Sequence, residues 1–432
     1  MSTTNKKFFS LECAVQNYHW GKFGEQSTVA SLGRMQKNFN FDAEKHYAEL
    51  WMGDHHRGPS IVQNMSEPTT LTQLLQNNPS LVGENIIKRF GKANLPFLFK
   101  VLSVETALSI QAHPNKEHAE ILNRTRPDVY QDDNHKPEIA IAITPFEALC
   151  GFRPASEILS YFHEVEELLF VVGQKAVDEL INAEMATDKK AKDEAVRRAI
   201  KGCLSQLMAC DPNTIKEQLA KLITRLNECH KKHEDTSLYL GRLLLRVHSQ
   251  YPGDVGCFVI YFLNYIQLEP FESIFLGPDV PHAYIYGDII ECMANSDNVV
   301  RAGFTPKFKD VDTLIEMLDY KPQTVEETKF KPTSCSDDPH VSIYNPPIDD
   351  FSVKKIQIPA GNASEYDVQS VKGPSILLTL SGHADVQYET EAGCLATSRG
   401  SVFFVGNGEK VKLTNISSNE ELLIFQAYCD LV

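Results

Sequence analysis

The chain has 432 residues, 42% hydrophobic and 23% charged, with a formal net charge of -15 and a pI of about 5.4. A surface this acidic repels nucleic-acid phosphates and anionic bilayers, so neither is an expected partner, although a local basic pocket can still hold one small phosphate. At roughly 100–200 residues per domain the length fits two to four domains.

No run reaches the ~18 apolar residues of a membrane span. The ten cysteines are scattered with no CxxC pair, and the first residues lack an apolar leader core. Reduced thiols in a cytoplasmic protein are the expectation.

In chain order, the first strand-like run is Leu98–Val104. Leu108-Ser109-Ile110-Gln111-Ala112-His113 then alternates at period two, the pattern of a half-buried strand. A further apolar run follows Asn134-His135-Lys136-Pro137-Glu138, from Ile139 to Ala142.

From Pro154 to Gln250 the spacing becomes helical. Ile158, Leu159, Phe162, Val165 and Leu168 recur at three and four residues, as do Leu219, Leu222, Ile223 and Leu226. Asp188 precedes a charged, Ala-rich helical stretch, and Asp211-Pro212-Asn213 separates two helices. Tyr251-Pro252-Gly253-Asp254 closes the region.

Strand texture returns at Val255–Leu268 and Ser273–Leu276, followed by a Gly277-Pro278 turn. Beyond Lys331, short strands such as Ile376–Leu380, Ser401–Val405 and Leu422–Phe425 alternate with turn residues, which fits a sandwich or jelly roll. The fold class expected is mainly β with an α-helical insert. Residues 1–153 and 251–330 form a discontinuous β domain, 154–250 the insert, and 331–432 a C-terminal β domain.

Three polar features stand out against this background. Gln111 and His113 share one face of their strand with Ser109. Glu138, preceded by Pro137, heads a strand and can point into a barrel. His282 follows a Gly-Pro turn in Gly277-Pro278-Asp279-Val280-Pro281-His282. Together they make an N/O donor set suited to a divalent ion such as zinc. Each piece also has a plain structural reading: a hydrogen-bonded edge row, a surface ion pair, a core histidine.

The segments Pro96–Leu102, Leu108–Lys116, Asn134–Glu138 and Pro281–Lys307 resemble the type I phosphomannose isomerases, as do Tyr18–Gly21 and Tyr47–Gly53. The resemblance covers essentially the whole chain in order. It implies two cupin-like jelly-roll domains, the second metal-free, plus a helical domain. It also implies an enzyme with one zinc ion per chain that interconverts mannose 6-phosphate and fructose 6-phosphate, feeding GDP-mannose and glycosylation precursors. Gln111, His113, Glu138 and His282 fall on its zinc-ligand motifs and Arg301 on its essential arginine.

Moving a proton between C1 and C2 requires a base, and Glu291, Lys136 and His135 all remain open for that role, with Glu291 equally open to holding Arg301 or a lysine in place. Ser109, Lys100 and Lys307 are candidates for the phosphate, with Tyr284 and Asp297 along the pocket. A small sugar phosphate is the expected partner and a monomer the expected state. A non-enzymatic metal- or sugar-binding protein of the same fold, or an iron oxygenase, would be the rival reading.

Overall fold

A computed structural model describes residues 6–431. Its organising element is one 13-residue strand, His282–Ala294. Residues 282–286 of this strand pair with Phe146–Phe152, while Gly287 to Ala294 pair with Phe97–Val104 and the stretch from Ile289 to Met293 with Glu138–Ala142. Gly287 sits where the partners change. Its φ is +115°, and a Cβ there would lie 2.6 Å from the Pro145 carbonyl oxygen. Only glycine fits such a crossing. The sheet continues through Glu49–Met52 to Ala14–Gln16 on one side and Leu263–Leu268 on the other.

Behind it stands a nine-stranded sheet built mostly from C-terminal strands, with a four-stranded sheet as its outer partner. Period-two alternation divides its side chains cleanly. Leu377, Phe403 and Ile424 face the outer sheet. Ile376, Leu378, Phe404 and Phe425 face the first sheet, where they meet Phe99, Val101, Ile139, Ile290 and Cys292 in one core. The neighbours of those residues, Lys100, Glu291 and Ala140, are therefore aimed the opposite way; they pair in one row across the first sheet.

The N-terminal strand Phe8–Glu12 does not join the first sheet. It pairs with Val402–Val405 and with Ile61–Val62, inside the nine-stranded sheet. The sheet thus crosses the division expected between residues 1–153 and 331–432, since strand pairing between distant segments leaves no local pattern to read.

The helical stretch appears between Ala155 and Gln250. Asp188 caps the Lys189–Ala209 helix by accepting from Ala191 N, and Asp211 caps Pro212–Lys231. Ile158, Phe162, Leu168, Leu219, Leu222 and Leu226 are buried in a core continuous with Phe152 and Phe262. One expectation changes. The run from Val255 begins with a helical turn, Gly256–Val259, and the strand starts only at Leu263. The Asp254 carboxylate accepts from Gly256 N at 2.7 Å and Phe304 N at 2.8 Å, which holds the turn despite its β-favouring residues.

Gly287→Ala should destabilise the protein by more than about 2 kcal/mol, combining an unfavourable φ with a backbone clash. Gly91→Ala has a φ of +77° but nothing within 4 Å of the new Cβ. It should cost only about 1 kcal/mol. Denaturant midpoints of the two variants check the order.

Candidate active site

The short strand Ile110–Ala112 brings three expected residues together. Gln111 lies opposite His282 on one side and opposite Arg301, in Val300–Gly303, on the other. His113 follows directly, and Glu138 heads the strand beside Met293.

His113 Nδ1 donates to the Asn298 carbonyl at 2.7 Å, and His282 Nδ1 to the Val280 carbonyl at 2.9 Å. A carbonyl can only accept, so Nδ1 carries the proton in both rings and Nε2 keeps its lone pair. Those lone pairs point at one carboxylate: His113 Nε2 is 3.4 Å from Glu138 Oε1, and His282 Nε2 is 3.6 Å from Oε2. All three side chains are buried, and both Nε2 atoms and Glu138 Oε2 lack a hydrogen-bond partner.

Burial is the main reason that both imidazoles are held below the ordinary histidine range; for His113 the nearby Lys136 and His282 add to it. Two neutral imidazoles presenting lone pairs to an anion repel it. A cation among them reverses the sign of every contact. The ligand atoms lie within 4.8 Å of one another, and the donor set suits zinc.

A second His/His/Asp group, His55, His56 and Asp297, lies close by but is built differently. Arg57 N donates to His55 Nδ1 at 3.3 Å, which leaves the proton on Nε2, facing Asp297 Oδ1 at 3.6 Å. Arg57 Nη2 stands 3.2 Å from the other Asp297 oxygen. Donors already surround this carboxylate, so the group closes on itself.

A cavity of about 400 Å³ adjoins the His113–Glu138–His282 cluster through Gln111, opposite His282, and Lys136, beside Glu138. Ser109, Gln111, Lys100, Lys136, Asp297, Arg301 and Lys307 reach its wall. Lys136 Nζ is 3.5 Å from Glu138 Oε1. Arg301 is half-buried, and among the described residues it has no carboxylate partner; burial holds its guanidinium below its ordinary value. Lys307 is exposed at the mouth.

Three candidate residues do not reach the wall, and for Glu291 the structure shows the lysine-holding alternative. Glu291 is beneath the wall, paired with Lys100 at 3.0 Å. Burial alone would lower the Lys100 ammonium, but Glu291, Glu49 and Glu138 outweigh it and raise it. Tyr284 is buried against Phe146. His135 turns away to Asp350 of the C-terminal region. In each case a sheet or a neighbouring domain covers the side chain, which sequence spacing alone does not reveal.

Glu49 was missed. It reaches the cavity wall, accepts from Trp51 Nε1, and is raised by burial above the ordinary carboxylate value. Its signal was available: Glu49 and Trp51 share a strand face, and a carboxylate on a buried strand needs a reason.

Sequence models of the type I phosphomannose isomerases match three stretches: the catalytic domain at residues 8–155, the helical insertion domain at 171–263, and the C-terminal domain at 342–390. The chain is 46% identical to mannose-6-phosphate isomerase of Rattus norvegicus over 430 residues, covering 98% of this chain and 99% of the relative. The Homo sapiens enzyme is also 46% identical, over 425 residues with the same coverage. That of Aspergillus fumigatus is 39% identical over 450 aligned positions, covering 98% and 96%.

Among solved structures, a variant of the Salmonella typhimurium phosphomannose isomerase superposes with a TM-score of 0.81 at 27% identity, covering 99% of this chain and 100% of its own. A mannose 6-phosphate isomerase bound with zinc and yttrium gives 0.80 at 27% identity with the same coverage.

The buried imidazoles make the metal-free chain acid-sensitive. Their folded-state pKa values lie below the ordinary ~6.5. As pH falls through that value, the unfolded chain takes up protons that the folded chain refuses, so stability drops with falling pH. The denaturation midpoint of chelator-stripped protein should therefore decline from pH 7 to pH 5. His113→Gln should flatten the slope.

Proposed function

The chain belongs to the type I phosphomannose isomerase family, and we infer on that premise that it interconverts mannose 6-phosphate and fructose 6-phosphate, with one zinc ion per chain held by His113, Glu138, His282 and the Gln111 amide oxygen. One observation carries the assignment of the site: two neutral, fully buried imidazoles aim unpartnered nitrogens at a buried carboxylate, next to a cavity whose wall includes Lys136, Arg301 and Lys307. Zinc bound there supplies Lewis acidity toward a sugar oxygen.

The remaining work falls to the chain's own side chains. Lys307, exposed at the mouth, and Ser109 at the wall receive the phosphate. Lys100 was an expected phosphate ligand as well, but its ammonium is engaged with Glu291. Its role is to set the potential of the wall beside Glu49 and Glu138. Arg301 has no carboxylate of its own among the described residues, so its forked donor set is free to meet negative charge that develops on the sugar oxygens.

The C1–C2 proton needs a carrier at the wall. Of the three groups left open by the sequence, Lys136 alone reaches it; Glu49 is a further carboxylate at the wall. Lys136 Nζ stands 3.5 Å from the Glu138 carboxylate, and burial raises the Glu49 carboxyl above its ordinary value. Trp51 also stacks on Lys100, with the ammonium 5.3 Å from the ring centroid, which keeps the two groups in fixed relation.

No helix among the described residues is long and apolar enough to cross a membrane. A monomeric cytoplasmic enzyme is the reading that fits the acidic charge and the unpaired thiols.

Removal of zinc with a strong chelator should abolish isomerisation of mannose 6-phosphate, and added zinc should restore it. Full turnover in demonstrably metal-free protein would refute the site. Arg301→Ala should lower kcat by ~10²-fold or more, the scale for one oxyanion-stabilising donor, with KM and zinc content little changed. Arg301→Lys should recover little, because an ammonium lacks the planar fork. A raised KM with unchanged kcat would instead make Arg301 a phosphate anchor.

A further inference from the structure

Among the described residues none of the C-terminal region lines the active-site cavity, yet one of its carboxylates reaches the segment that carries a wall lysine and a metal ligand. Asp350 lies at the turn before the strand Ser352–Ile358. Its side chain is 5% exposed, and its two oxygens stand 3.2 and 3.1 Å from His135 Nε2. A buried carboxylate this close to an imidazole nitrogen fixes the proton on Nε2 and with it the orientation of the ring.

The turn that presents Asp350 is itself pinned. Arg89 Nε donates to Asp349 Oδ2 at 2.9 Å, and Cys429 Sγ donates to the Asp349 carbonyl at 3.3 Å. Phe351, on the other side, is buried in the core shared by the two sheets.

His135 is followed by Lys136, Pro137 and Glu138. This stretch is held at several points. Ala294 N donates to the Pro137 carbonyl at 3.0 Å, and Asn298 Nδ2 donates to the Asn134 carbonyl at 3.0 Å. Proline at 137 removes one backbone torsion between the ligand and the lysine. Residues 134 and 137 are thus fixed from within the first sheet and its loop, while the side chain between them is fixed by the other domain.

We infer that Asp350 is a positioning residue for the isomerase reaction: through His135 it sets the backbone that aims Lys136 into the cavity beside Glu138. The C-terminal domain thereby contributes to turnover without touching substrate. The inference rests on the reading of Lys136 as a working group of the cavity.

The test uses full-length, zinc-loaded enzyme, with kcat, KM, zinc content and melting temperature measured on each variant. Asp350→Asn keeps the shape and removes the charge. It should lower kcat by roughly 10–100-fold, the scale for groups that orient a site from outside it, with KM and zinc content near the parent values. His135→Ala should show the same loss, and the double variant should be no worse than either, since the two act as one unit. His135→Gln retains an N–H toward Asp350 and should recover most of the activity.

Three results would overturn the inference: a lowered melting temperature with parental kcat in Asp350→Asn, additive losses in the double variant, or no recovery in His135→Gln. The last would indicate that the imidazole itself carries a proton. Lys136→Met separates this inference from the reading beneath it. If Lys136→Met keeps full turnover, both fall; if it collapses while Asp350→Asn is normal, this inference alone falls.

Discussion

A carboxylate buried between two imidazoles is the constraint from which the rest of the active site follows. Glu138 is 2% exposed, and His113 and His282 are wholly buried. Without a cation the arrangement would leave an anion facing lone pairs in a poorly solvated interior, which is strongly unfavourable. The protein therefore has to supply rigid second contacts. Each imidazole is tied through Nδ1 to a backbone carbonyl, of Asn298 and of Val280, so neither ring can rotate its proton inward. The donor set exists in the correct tautomer because loops on either side of the long strand deliver those carbonyls.

The long strand also explains how so many charges are tolerated nearby. Its residues alternate between a face that joins the apolar core of the second sheet and a face that looks into the first domain. Lys100 and Glu291 are directly paired in register on the latter face, and Glu49, Trp51 and Glu138 belong to the same surface. Each buried charge there has an opposite charge or a donor within reach. Arg301 is the departure: half-buried, with no carboxylate partner among the described residues. A guanidinium left uncompensated at a cavity wall is costly in the resting protein, and an anionic substrate removes that cost.

Layering gives the C-terminal region a mechanical part. Its nine-stranded sheet takes in the N-terminal strand Phe8–Glu12 and shares a core with Phe99, Val101, Ile139 and Ile290. The strands that bear Lys100, Glu138 and Glu291 are thus packed from behind over most of their length. Sub-ångström aim at a catalytic site depends on such backing. The helical insert supports the opposite end, where Arg246 of its last helix is paired with Glu147.

Much of this was legible in the sequence wherever the determining force is local. Three- and four-residue spacing marked the helices, Asp188 and Asp211 marked their starts, and period two marked the faces of Gln111 and His113, because helix and strand geometry impose those intervals directly on neighbouring residues. The resemblance of long segments then singled out His113, Glu138 and His282, which do converge. What the sequence could not reveal is which side chains are covered by something distant. Tyr284 was expected in the pocket and lies beneath it; Glu291, open between base and partner of a lysine, pairs with Lys100; His135 was expected in the pocket and faces Asp350; Glu49 was overlooked and lines the wall. Each of those outcomes depends on register between strands far apart in the chain, and a backbone hydrogen bond carries no record of which residue it will meet. Local periodicity determined the elements and their faces; tertiary packing decided which faces met, and therefore which of the polar residues became the site.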